Sequence, residues 1–210
     1  EARDLVFEEL LLLEGHTPIS AVASLTSDGV TDFQVTTRLE GQEVRRASAV
    51  LQTVDEAPEK AAYDVAALLA EHPVDLTGAE MRDWYDARGI QYGPAFSGLT
   101  AAHTTQGPGG SVLAEVALPG SIRSQQGAYG IHPALLDVCF QAVGAHPDLH
   151  TDHTGTLMLP LGVRRLRAHS STRNAHYCYV QLVNASAGSV EVDVEVLDEH
   201  GAVLLTVGGL

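Results

Sequence analysis

Apolar and polar residues alternate with a period of two over three consecutive stretches: residues 19–26 (ISAVASLT), 31–39 (TDFQVTTRL) and 43–52 (EVRRASAVLQ). The breaks between them, SDG and EGQ, carry glycine in turn-forming company. Alternation turns one face of each segment to a core, and short Gly turns join neighbours antiparallel. The pattern therefore predicts a three-stranded meander. The same signal returns over 177–183 (YCYVQLV), 189–197 (SVEVDVEVL) and 202–207 (AVLLTV), separated by NASAG and DEHG. Each meander follows an apolar segment, DLVFEELLLLE in the first case and TLMLPLGVRRLRAHS in the second. The two halves read as copies of one unit.

Other periods fill the middle. Residues 53–80 are rich in Ala, Glu and Pro and read as a connector with a helical turn over 61–71. A short helix is predicted over 80–88, with Gly89 placed to end it. A strand follows over 111–119 and an apolar helix over 133–144. Only the second meander has such a strand and helix ahead of it; the first has nothing upstream of Asp4. The comparison implies that the first unit lacks its leading strand and central helix. The chain also opens without methionine, so it reads as a piece of a longer polypeptide or a processed chain.

The apolar helix carries an anomaly. In HPALLDVCFQA, His132 to Ala142, Asp137 and Gln141 stand four residues apart and share one face, while Leu135, Leu136, Val138, Cys139 and Phe140 fill the other directions. Two readings are open: the wet stripe of an amphipathic helix, or a buried helix whose stripe lines a cleft. A sheet wrapped around one helix encloses it on most sides and needs it hydrophobic nearly all round, which favours the cleft. Desolvation there raises the pKa of an aspartic acid, which can then hold a proton for a leaving oxygen. Gln141 is one turn on, placed to orient that carboxyl group. Pro133 suits the first helical turn, with His132 before it.

Composition restricts the partners. At 210 residues and 45% hydrophobic content, the chain can build one sizeable core or two small ones sharing an interface. Its 12 Lys+Arg against 27 Asp+Glu, a formal net charge of -15, argues against a nucleic-acid partner. Lys60 is the one lysine, a skew toward arginine that hints at a GC-rich genome. Cys139 and Cys178 sit in apolar runs and read as buried thiols of a reducing, cytoplasmic compartment. No stretch approaches the ~18 apolar residues of a transmembrane segment.

Outside the helix, motifs that carry chemistry are few. No G-x-S-x-G elbow or phosphate loop occurs, and GPGGS reads as a hairpin turn between strands. His146, His150 and His153, with Asp148 and Asp152, are residue types that bind zinc. Pro147 and the absence of a nearby cysteine favour a polar surface loop, and no metal is expected. His16, His103, His169, His176 and His200 fall at turns or strand ends and read as structural. In GIQYGPAFSGL, the Tyr-Gly-Pro sequence followed by Phe is turn chemistry leading into a strand. Tyr92 there either projects its hydroxyl into a cleft or is a core tyrosine held by a tight turn.

GIQYGPAF and HPALLDVCFQ, in that order and followed by LPLGV over 159–163, resemble the motifs of type I polyketide synthase dehydratase domains. Animal fatty acid synthase has a similar domain. The resemblance covers nearly the whole chain, and residues 159–180 resemble synthases of mycobacteria and their relatives that build long cell-envelope lipids. It implies an α+β double hot-dog, two antiparallel sheets each wrapped around a central helix, with the first incomplete at its N-terminus. The implied division is 1–52 for the remainder of the first hot-dog, 53–80 for a connector and 81–210 for the second hot-dog.

The implied activity is dehydration of a β-hydroxyacyl thioester to the α,β-unsaturated thioester. The substrate is carried on the phosphopantetheine of acyl carrier protein, with no cofactor in the domain itself. Asp137 matches the family's acid and Gln141 the residue that positions it. Tyr92, Gly93, Pro94 and Phe96 match a strand motif bordering the substrate tunnel. His132, Pro133, Leu159 and Pro160 complete the expected substrate-binding set. The family's base lies in H-x-x-x-G-x-x-x-x-P, which this chain lacks: His103 has Gly107 at the right offset, but Val112 stands in place of the proline. The fragment alone is therefore expected to be inactive.

Expected partners are the carrier protein and other domains of the same synthase, in a homodimer. Arg164, Arg165 and Arg167 are either a docking patch for the carrier or a solvated strand edge. The alternatives are a non-catalytic hot-dog scaffold or dimerisation domain, and a related double-bond isomerase or cyclase.

Overall fold

The computed structural model describes residues 1–11, 16–54, 61–107, 109–150, 158–186 and 188–210. In chain order the strands are β1 (Ala2–Phe7), β2 (Ile19–Ser27), β3 (Val30–Leu39), β4 (Gln42–Gln52), β5 (Val74–Thr77) and β6 (Leu99–Thr104). They continue with β7 (Ser111–Val116), β8 (Gly162–Ala168), β9 (Tyr177–Ser186), β10 (Ser189–Leu197) and β11 (Val203–Gly208). The main helices are α1 (Val65–Glu71), α2 (Gly78–Asp86) and α3 (Pro133–Gln141). The chain divides into two units, one of Glu1–Pro58, Leu159–Arg167 and Val207–Leu210, the other of Glu59–Met158 and Ala168–Thr206.

In the first unit the strand order is β2-β3-β4-β1-β8, antiparallel throughout. The meander forms where alternation and glycine turns place it: Ile19 faces Thr37 across β2 and β3, and Val30 faces Gln52 across β3 and β4. Two strands go beyond the expected meander. β1 and β8 lie in the segments read only as apolar, and they pair with each other, Ala2 opposite Leu166. Among the described residues this unit is strand and turn, and β2 is exposed along its whole length.

In the second unit the order is β11-β10-β9-β7-β6-β5. Its core joins Val112, Leu113 and Ala114 of β7 to Cys178 and Val180 of β9, with Val138, Cys139 and Ala142 over them, all fully buried. The Cys178 thiol donates to the Cys139 carbonyl at 3.6 Å, so the two cysteines are buried, free thiols where helix meets sheet. α3 is thus apolar on nearly every side because it is enclosed on nearly every side. Replacing Val138 with Ala removes two methylenes' worth of buried surface beneath it. A loss of about 2 kcal/mol is expected, read as a lower urea midpoint at unchanged slope.

α2 is bounded by two local devices. Thr77 Oγ1 accepts the Glu80 N–H at 3.2 Å, and the Glu80 carboxylate accepts the Thr77 N–H at 2.7 Å, a reciprocal capping box. At the far end Gly89 takes φ +90°, with its N–H on the Asp86 carbonyl and the Ile90 N–H on the Tyr85 carbonyl. This is a Schellman turn, which needs a residue at ease in the left-handed region. Beyond this turn the chain brings the Tyr92 ring edge-on to Tyr85 of α2.

Three boundaries differ from expectation. The 53–80 stretch holds its expected helical turn as α1, and it is more than a connector because β5 falls inside it and pairs with β6, Leu76 opposite Ala102. Residues 159–167 and 207–210 group with the first unit, outside a contiguous 81–210 block, since β8 takes its partner from β1. The apolar helix ends as α-helix at Gln141 and goes on as a 3-10 turn over Ala142–Ala145.

Candidate active site

α3 begins with a side-chain cap. The His132 Nδ1 accepts the Ala134 N–H at 3.2 Å, and Pro133 occupies the first helical position, where its missing N–H costs nothing. Because Nδ1 accepts, the neutral ring carries its proton on Nε2, which is buried and has no hydrogen-bond partner in the protein. The Tyr129 ring meets this imidazole edge-on, 4.8 Å between centroids.

Asp137 and Gln141 share one face of α3, as the spacing requires. The Gln141 amide donates one hydrogen to Asp137 Oδ2 at 2.8 Å and the other to the Phe96 carbonyl at 3.0 Å. Gln141 is 4% exposed, so both donors are satisfied by protein. The bond to Oδ2 marks that oxygen as the acceptor of the carboxyl group, which leaves Oδ1 to carry a proton. Burial holds the Asp137 carboxyl above the usual carboxylate range, opposed in part by the Gln141 hydrogen bond, which favours the ionised form. The acid stripe is therefore partly withdrawn from solvent.

The Phe96 carbonyl is delivered by a turn. Pro94–Phe96 is a 3-10 helix closed by the Phe96 N–H on the Gly93 carbonyl at 2.9 Å. Tyr92, Gly93, Pro94 and Phe96 are therefore a turn ahead of β6 and not a strand, a correction that follows from proline's fixed φ at the turn's start. Tyr92 stands near the acid: burial first, and the Asp137 carboxyl second, push its hydroxyl up to about 12.

Tyr85, which no sequence motif singled out, ties these parts together. Its buried hydroxyl donates to the Gln141 carbonyl at 2.8 Å, and its ring meets Tyr92 edge-on at 5.2 Å. Gly144 makes room for it, since a Cβ there would lie 2.6 Å from the Tyr85 oxygen.

The remaining expected residues belong to other elements. Leu159 and Pro160 belong to the first unit, ahead of β8, and are exposed; Asp137, Gln141, Tyr92, Phe96 and His132 belong to the second. His146 is fully buried and does not sit in a surface loop. Its Nε2 donates to the Gly110 carbonyl at 2.8 Å and its Nδ1 accepts the Asp148 N–H, so backbone satisfies both nitrogens. His150 stacks on Trp84 at 5.5 Å. His153 and Asp152 lie outside the described residues. Among the described residues no group of three His, Cys, Asp or Glu is arranged to hold a metal ion. His103 is inside β6, where it pairs with Asp75 at 2.7 Å. Arg165 and Arg167 both reach the buried carboxylate of Glu1, so they serve an internal ion-pair cluster more than a docking face.

No helix among the described residues is long and apolar enough to cross a membrane. The family model described as the polyketide synthase dehydratase N-terminal domain matches residues 60–210. The chain is 54% identical over its full length to the phthioceranic/hydroxyphthioceranic acid synthase of Mycobacterium tuberculosis, of which it spans 10%. It is 46% identical to a mycocerosic acid synthase-like polyketide synthase of Mycolicibacterium smegmatis, again over 10% of that protein. The crystallised dehydratase domain of a mycocerosic acid synthase-like polyketide synthase superposes with a TM-score of 0.94 at 45% identity, covering 100% of this chain and 73% of that one. The dehydratase domain from the CurF module of curacin polyketide synthase shares the fold, with a TM-score of 0.85 at 24% identity, 100% of this chain and 73% of that one.

Proposed function

Because the chain belongs to the polyketide synthase dehydratase family, we propose that it contributes the acid of a hydro-lyase acting on a β-hydroxyacyl thioester. The observation that carries this reading is the setting of Asp137: a carboxyl on the apolar helix α3 whose Oδ2 accepts the Gln141 amide at 2.8 Å and whose burial favours the protonated form. In the reaction a base removes the Cα proton, and the electron pair of that bond forms the Cα–Cβ double bond. The Cβ–O bond breaks as Asp137 protonates the leaving hydroxyl, releasing water. Asp137 becomes a carboxylate and is reset by a proton from solvent. Tyr92, beside the acid, is suited to hydrogen-bond the departing oxygen. His132 Nε2–H, Pro133, Gly93, Pro94, Phe96, Leu159 and Pro160 are proposed to bound the acyl chain and its thioester.

The substrate is proposed to be a hydrophobic chain held by thioester on the phosphopantetheine of an acyl carrier protein within the same synthase, working as a homodimer. The names of the similar synthases, phthioceranic/hydroxyphthioceranic acid synthase and a mycocerosic acid synthase-like polyketide synthase, support this choice. The base is proposed to come from an H-x-x-x-G-x-x-x-x-P segment ahead of the first meander, so residues 1–210 alone are expected to be inactive.

The test is intact-protein mass spectrometry of a 3-hydroxyacyl carrier-protein thioester incubated with the parent synthase polypeptide. Loss of one water, ~18 Da, is expected on the acyl carrier. Persistence of the hydroxyacyl species with a folded parent would sink the dehydratase reading.

A further inference from the structure

Gln141 is where α3 changes character. Up to that residue the helix is α, and from Ala142 to Ala145 it is 3-10. The Gln141 carbonyl is taken by a side chain from outside the helix: the Tyr85 hydroxyl, at 2.8 Å. The Gly144 backbone is also a hydrogen-bond neighbour of the Tyr85 hydroxyl. One phenol thus sits in the ladder of the helix that carries the acid, a recognised cause of a local change in helix geometry.

The other face of Tyr85 has a different task. Its ring packs edge-to-face against Tyr92 at an interplanar angle of 87°. Tyr92 lies two residues ahead of the turn whose Phe96 carbonyl receives the second Gln141 hydrogen. Gln141 is therefore held at both ends. Its backbone carbonyl is fixed by Tyr85, and its side-chain amide is fixed by Phe96 and Asp137. Tyr85 touches Gln141, which holds the acid, and Tyr92, and is itself 7% exposed, locked between Trp84 at 4.9 Å and Tyr92.

We propose that Tyr85 is a positioning residue for the Asp137–Gln141 acid, acting through the Gln141 backbone and the Tyr92 ring. The inference rests on Asp137 being the proton donor. Without the Tyr85 hydroxyl, the Gln141 carbonyl loses its donor from outside the helix and the end of α3 is free to rewind as regular helix. The amide then no longer presents a fixed hydrogen to Asp137 Oδ2. Two consequences follow together. The proton on Oδ1 is less well aimed, so turnover falls. The carboxylate loses a hydrogen bond that favours it, so the group holds its proton to higher pH.

The test uses the full synthase chain with a 3-hydroxyacyl carrier-protein substrate and compares the parent with Tyr85→Phe, Gly144→Ala and Asp137→Asn. Tyr85→Phe keeps the ring stack and deletes one oxygen. Its kcat is expected to fall about tenfold with KM within about twofold. The alkaline limb of its pH–kcat profile is expected to move to higher pH. Gly144→Ala keeps the hydroxyl but thrusts a methyl into it, and the same limb shift is expected; this variant decides the matter if Tyr85→Phe does not fold. A parent-like pH profile and kcat in either folded variant, beside an inactive Asp137→Asn, would overturn the role of Tyr85. An active Asp137→Asn would instead remove the acid reading on which the inference rests.

Discussion

Replacing Asp137 with Asn in the parent synthase is expected to cut dehydration of a 3-hydroxyacyl carrier-protein thioester by about 10²–10⁴-fold, the usual contribution of a positioned general acid. The substitution is close to isosteric, and its side-chain carbonyl can still accept the Gln141 amide hydrogen. Fold and substrate affinity should therefore persist, and the loss should fall on kcat. An amide holds no proton that can be given to a leaving hydroxyl.

The same variant has a stability signature of defined sign. In the native chain burial raises the Asp137 pKa above its unfolded value. The folded state then binds more protons than the unfolded state between the two values. Stability attached to this group is complete below the unfolded pKa and is lost as pH rises through the folded one. Asp137→Asn removes that slope, so urea midpoints of parent and variant should diverge with pH. A variant with parental turnover would show that some other group protonates the leaving oxygen.

The strands were legible because their signals are local. β2, β3 and β4, like β9, β10 and β11, fall within one residue of the alternating stretches at every end but the last of β9. Period-two alternation and glycine turns need no knowledge of distant chain. β5 was hidden for the opposite reason. Four residues, VDLT, carry no period of their own and become a strand only by pairing with β6. β1 and β8 pair across some 160 residues of sequence, which no local window reports. The acid pair was legible from an i, i+4 spacing inside an apolar helix, strengthened by the resemblance of its motif.

Burial misled in the histidine-rich loop. An imidazole can be fully buried when backbone satisfies both nitrogens, as Gly110 and Asp148 do for His146, and polarity alone does not tell this from a solvated loop. Tyr85 was out of reach altogether. From sequence it is one more aromatic on a short helix; its meaning lies in a carbonyl 56 residues away.

Gln141→Leu is expected to have the second-largest effect, and its pH dependence gives it away. Leucine fills much of the same volume but donates nothing, so Asp137 Oδ2 and the Phe96 carbonyl both lose their hydrogen. Leaving a buried acceptor unpaired costs about 1–3 kcal/mol, and a misdirected acid adds a kinetic loss, so kcat should fall about 10²-fold. Desolvation of Asp137 is unchanged, while the hydrogen bond that favoured the carboxylate is gone. The Asp137 pKa must then rise further above the usual range. Since the working form is the protonated one, activity is lost as pH climbs through that pKa, and the alkaline limb of the variant should lie at higher pH than the parent's. Desolvation and the Gln141 bond push the carboxyl in opposite directions, so the direction of this limb separates them. A downward move would mean that Gln141 stabilises the proton on Asp137 instead of aiming it.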